Sequence, residues 1–180
     1  MPEVFHNDQD IICVGANWVE KLKAAAAASP LRRSRLRMHL SSEDPVQEMI
    51  IALCSDVLFR PHRHHDKSES FHIVEGNLYV LVFDETGNVI RTVHMGPPGS
   101  GRDYCYRLCK PAWHAIVPGS EFVVFHETTV GPFIQGDAAE FPDWAPTEGG
   151  PLRSFLDASL SAGLALGPRH CSAPNPASAA

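Results

Sequence analysis

Between Pro61 and Gly76 the chain reads PHRHHDKSESFHIVEG, a stretch with four of the ten histidines and two glutamates. His62 and His64 are two apart, so on an extended segment both imidazoles leave the same face, close enough to chelate a metal. His65 to Ser68 can turn the chain. Glu69 then heads a second apolar segment, SFHIV, which ends at Glu75 and Gly76, and its carboxylate can return to the imidazole pair. Two imidazoles and a carboxylate on a β frame suit a divalent first-row metal, with open coordination positions left for chemistry. A fourth ligand is expected from His114 in KPAWHAIVPG, which follows a turn and opens another β-prone run far enough along for a sheet to fold back.

The flanking sequence supplies such a sheet. LYVLVF, ETGN and VIRTVHM over residues 77–95 read as a hairpin, GPPGSG as a loop, and DYCYRLC, HAIVP and EFVVFHETT as further strands. EMIIALCSDVLF over 48–59 suggests two short strands and a hairpin, and 38–40 a third short strand. These intervals are too short for helical crossovers, so an antiparallel barrel or two-sheet jelly roll is expected. NWVEKLKAAAAAS is rich in helix formers and stops at Ser29-Pro30, which predicts an N-terminal helix on the outside. LRRSRLR, residues 31–37, reads as a solvated or subunit-facing run. The expected core is Ile50, Ile51, Leu58, Phe71, Ile73, Val80, Val82, Val117, Val123 and Phe125.

HxH, four residues, Glu, six residues and Gly resembles the first motif of the cupins, matched at His62, His64, Glu69 and Gly76, with His114 in the place of the second-motif histidine. RPHRHHDKSESFHIVEG, LVFDETGNV, PAWHAIV, VVFHETTVGPF and FPDWAPTEG look like the cupin fold metalloproteins of the WbuC family, over roughly residues 20–150. The resemblance implies a mainly β, single-domain, RmlC-like jelly-roll barrel over residues 34–135. It follows an N-terminal extension with a helix (1–33) and precedes a C-terminal extension packed on the barrel (136–165) and a disordered tail (166–180). It also implies a homodimer and a link to polysaccharide or O-antigen chemistry. The chain departs from the pattern at Asp56, where cupins usually have glycine, at Cys109 and Pro111 before His114, and near Thr129, where a lysine is expected.

Arg60 shares the parity of the two histidines, and Lys67 sits in the turn between ligands; both are expected to hold an anion, the alternative being a merely solvated side chain. Glu127 would act as general base or pair with Arg60. His65 and His72 fall on the opposite alternation and are expected away from the metal, and Trp113 and Phe71 in packing. Five cysteines, irregularly spaced, point to free thiols. A net charge of −6 argues against nucleic-acid binding, and the absence of a signal-like or long apolar segment against a membrane. The expectation is a cytoplasmic protein with one divalent transition metal (Fe, Mn, Ni, Zn or Co). It would be an enzyme acting on a small anionic or sugar-derived molecule, or else a noncatalytic, metal-stabilised binder of one. A metal-free epimerase with a His base and a Tyr acid fits the ligand set less well.

Overall fold

Two sheets face each other across an apolar interior in the computed structural model, which describes residues 3–65, 67–134 and 139–167. The larger combines β1 (Val4–His6), β2 (Arg33–Arg37), β3 (Val46–Cys54), β4 (Glu69–Glu75), β7 (Cys105–Leu108) and β9 (Phe122–Val130) in the order β1-β2-β3-β9-β4-β7. The smaller has β5 (Leu78–Phe83), β6 (Val89–Met95) and β8 (Trp113–Pro118) in the order β6-β5-β8. Every pairing is antiparallel except β1 with β2. Alternate residues of the two sheets meet inside: Leu53, Phe71, Ile73, Val123 and Phe125 from one, Leu78, Val80, Val93 and Ile116 from the other. Gly76 makes the turn from β4 to β5 possible. Its φ is +79°, and a Cβ there would overlap the Phe122 carbonyl and Ser120 Oγ.

Helix α1 (Ala16–Ala28) covers the outer face of the larger sheet, as its composition predicts. Leu22 and Ala26 pack there on Leu36, Ile50, Ala52 and Val124. Of the expected core, Phe71, Ile73, Val80, Val117, Val123 and Phe125 are buried, and Ile50 is buried under α1. Ile51, Leu58 and Val82 are half-buried.

The structure corrects three local expectations. Residues 31–37 contain strand β2, whose Ser34 and Leu36 are buried between arginines; the charges hid a period-two pattern. Residues 48–59 hold a single long strand, β3, after which Val57 to Pro61 lie outside any strand, and 38–40 form none. The C-terminal segment contains a helix, α2 (Gly149–Ala165), that the glycines and Pro151 obscured. Its buried residues Leu152, Leu156, Ser159 and Gly163 recur at helical spacing and pack on the smaller sheet beside Phe83 and Trp113. Gly163 sits against Thr92 and Val89, where a Cβ would overlap Thr92 Oγ1. Among the described residues no helix is long and apolar enough to cross a membrane. The expectation of a disordered tail falls almost wholly outside the described residues.

Candidate metal centre

The histidine pair lies in no regular strand. His62 and His114 instead exchange both backbone hydrogen bonds, N to O at 2.9 Å each way, so the Pro61–His64 segment runs alongside β8 and extends the smaller sheet by one bridge. Glu69 opens β4 in the opposite sheet, between Leu108 of β7 and Thr129 of β9. Imidazoles from one sheet thereby meet a carboxylate from the other in the interior.

One nitrogen from each of His62, His64 and His114 can be chosen so that all three lie within 4.8 Å of one another. Ring centroids are 4.4 Å apart for His62 and His114, 5.0 Å for His62 and His64, and 5.9 Å for His64 and His114. Two backbone carbonyls fix the tautomers: His62 Nδ1 lies 3.0 Å from the Arg60 oxygen and His114 Nδ1 3.0 Å from that of Ala112. A proton held on each Nδ1 leaves each Nε2 lone pair for a cation. Glu69 Oε1 is 3.0 Å from His114 Nε2, and Glu69 Oε2 is 3.8 Å from His64 Nε2.

The buried Glu69 Oε1 has no hydrogen-bond partner of acceptable geometry. With the His114 proton on Nδ1, a carboxylate oxygen and a lone pair face each other, and either a second proton or a cation must stand between them. The donor set of three imidazoles and one carboxylate therefore fits a divalent transition metal, and the cluster could hold one. Burial opposes charge on His62, and the neighbouring His114 adds to that, bringing His62 down to about 4, so it is neutral near pH 7. Burial also opposes charge on His114 and Glu69, but each offsets this for the other, leaving His114 raised and Glu69 lowered.

The site opens into a cavity of about 170 Å³ that Glu127 of β9 also lines. Burial first, then the Glu69 carboxylate, pushes Glu127 up to about 7, against the opposing pull of Arg35 and His114. Glu127 is thus brought to the site as the sequence predicts, without the Arg60 contact.

Arg60 is not beside the histidines in this cavity. Its Nη2 donates to the carbonyls of Pro142 (2.7 Å) and Ala145 (3.1 Å), and its guanidinium lies 5.3 Å from the Phe141 ring centre. Because the segment carrying it is not a regular strand, parity does not set its direction; it borders only an outer vestibule shared with His62 and His64. Lys67 leans over Phe133 at 5.9 Å in a separate cleft beside Thr129 and Arg37. Neither cation lines the inner cavity. His65 pairs with Glu140 at 2.7 Å, and the His72 ring lies tilted against that of Tyr104 with centres 5.5 Å apart, both away from the cluster. Trp113 is buried, its Nε1 donating to Glu85, and Cys13, Cys54, Cys105 and Cys109 are free. Sequence reasoning missed Arg33 and Arg35, which do line the cavity; the alternation of RSRLR was the available signal.

Residues 14–95 match the model of a family described as a domain of unknown function, DUF6016. That region includes His62, His64 and Glu69 but ends before His114. No curated protein matches the sequence. The fold resembles that of protein SO0799 from Shewanella oneidensis, with 11% identity over 71% of this chain and 82% of that one and a TM-score of 0.50. The cupin domain of Cnp3 from Schizosaccharomyces pombe has 13% identity over 55% of this chain and 64% of that one, with a TM-score of 0.44. KdgF from Halomonas sp. has 13% identity over 59% and 84%, with a TM-score of 0.45. The chain thus spans just under two thirds of the Cnp3 domain. Its topology, two mainly antiparallel sheets packed face to face, is that of a single-domain jelly roll.

Proposed function

We propose that the chain is a metal-dependent cupin enzyme. It holds one divalent transition metal (iron, manganese, nickel, zinc or cobalt) on His62, His64, His114 and Glu69, and acts on a small anionic or sugar-derived molecule in the cavity. The observation that carries this reading is the pair of histidines whose Nδ1 protons are tied to backbone carbonyls beside a partnerless Glu69 oxygen. Bound there, the metal supplies Lewis-acid polarisation of a ligand oxygen. The protein's own residues do the rest. The apolar walls of the two sheets exclude water, and Glu127, with an affinity for protons near neutrality, takes a proton from the bound molecule or returns one. The resemblance of the motif strings to WbuC-type proteins puts sugar derivatives beside small carboxylates among the ligands to be screened.

The test is elemental analysis of protein purified without a nickel column, followed by a turnover screen of reconstituted protein against small carboxylates and sugar derivatives. One metal per chain with turnover is expected. Stoichiometric metal and tight ligand binding without turnover would make the protein a metal-stabilised binder. No metal under any reconstitution would remove the reading.

A further inference from the structure

Arg35 brings a positive charge into the cavity that no described residue neutralises at contact distance. On β2, Ser34 and Leu36 face outward: Ser34 Oγ donates to the Leu22 carbonyl of α1, and Leu36 packs beneath that helix. Strand alternation therefore sends Arg33, Arg35 and Arg37 to the inner face. Arg35 pairs across the sheet with Ile51, which packs on the interior cluster, and so enters the cavity that holds the three histidines. Among the described residues its guanidinium makes no hydrogen bond or ion pair, although Glu127 and Glu3 act on it from a distance. Burial lowers its proton affinity, and Arg33 and Arg37 lower it further. A half-buried fork of five donors is costly without an acceptor, and a bound anion provides one.

The rest of the cavity narrows the anion. Ile51, Phe59, Phe71, Ile116 and Phe125 form an apolar wall, on which the hydroxyls of a sugar would lose water without replacement. The volume of about 170 Å³, set against about 30 Å³ per liquid water, admits a ligand of roughly ten non-hydrogen atoms at interior packing density. A single arginine fork matches one carboxylate, whereas a dianionic phosphate would set a second negative charge facing Glu127 and Glu69.

We propose that Arg35 selects a small monocarboxylate with an apolar body, the carboxylate on the guanidinium and the body along the Ile51, Phe59 and Phe71 wall, with its far end toward the histidines. This rests on the reading of the cavity as the functional site and narrows its ligand class to the organic acids.

The test is calorimetric titration of benzoate, benzamide and glucose 1-phosphate into zinc-loaded wild type, Arg35→Gln and Arg35→Lys, with zinc content measured on each. Benzoate should bind at least 30-fold more tightly than benzamide. Arg35→Gln should remove most of that preference while leaving benzamide binding and zinc content unchanged, and Arg35→Lys should keep part of it. Equal binding of benzoate and benzamide, tighter binding of glucose 1-phosphate, no benzoate binding to wild type, or undiminished benzoate binding to Arg35→Gln would each overturn the proposal. If Arg35→Gln fails to fold, the wild-type ratio and Arg35→Lys decide. Should wild type take up no zinc, the metal reading falls by itself, and the same ratio measured on metal-free protein still decides the role of Arg35.

Discussion

Glu69 Oε1 lies 3.0 Å from His114 Nε2, while His114 Nδ1 faces the Ala112 carbonyl at 3.0 Å. The contact joins the two sheets at the point where the chain most needs a cation. Glu69→Gln should separate the two roles of that oxygen, because an amide N–H can donate to the imidazole lone pair where the carboxylate cannot. Metal-free Glu69→Gln should melt no lower than metal-free wild type, yet bind zinc on the order of 10 to 100-fold more weakly. His64→Ala should lose stoichiometric metal altogether. A Glu69→Gln protein that binds zinc as wild type does would take Glu69 out of the ligand set.

Glu127 gives a pH signature. Its carboxyl, ordinarily near 4.5, is raised to about 7, chiefly by burial, so the folded protein holds this proton more tightly than the unfolded chain. Its stabilising contribution is complete below 4.5 and is lost as pH rises through 7. Glu127→Gln abolishes that loss. In metal-free protein the variant should gain stability over wild type between pH 5 and 8, by up to about 3 kcal/mol. Denaturant titrations at several pH values measure the gap, and a gap that does not widen with pH would mean Glu127 titrates normally.

The cluster of His62, His64 and Glu69 was legible because HxH and the glutamate lie within one short stretch that turns back on itself, although the histidines sit in no regular strand and Glu69 comes from the opposite sheet. The β-rich runs LYVLVF and VIRTVHM, with the turn ETGN between them, likewise made the β5–β6 hairpin readable. Arg60 was misread because the parity argument assumes a continuous strand, and the chain from Ser55 to Pro61 is not one. Arg35 was missed for the converse reason: a run of like charges masked a regular strand. Helix α2 was hidden by its opening Gly149, Gly150 and Pro151, although Pro in a first turn leaves the helix beyond it intact.

The resemblance to cupins motivates an assembly prediction, since such barrels commonly pair through their sheets. Light scattering at micromolar concentration should give twice the chain mass. A monomeric mass would exclude the homodimer.

Arg60 is predicted to hold the C-terminal segment rather than a ligand. Its Nη2 bridges the carbonyls of Pro142 and Ala145, and that segment leads through Trp144, which packs against Phe83 and Trp113, into helix α2. Arg60→Ala would leave two carbonyls short of a charged donor and weaken the seat of the helix on β5 and β6. A charge-assisted hydrogen bond contributes about 1.5 to 3 kcal/mol, and the partial exposure of this one places the expected loss toward the lower end of that range. Because His62 Nδ1 donates to the backbone carbonyl of Arg60 and not to its side chain, the substitution leaves the backbone contact that orients the imidazole in place. Zinc stoichiometry and benzoate affinity should therefore be unchanged while the melting temperature falls and amide exchange across α2 quickens. Weakened benzoate binding at full zinc content and unchanged stability would instead assign Arg60 to the ligand.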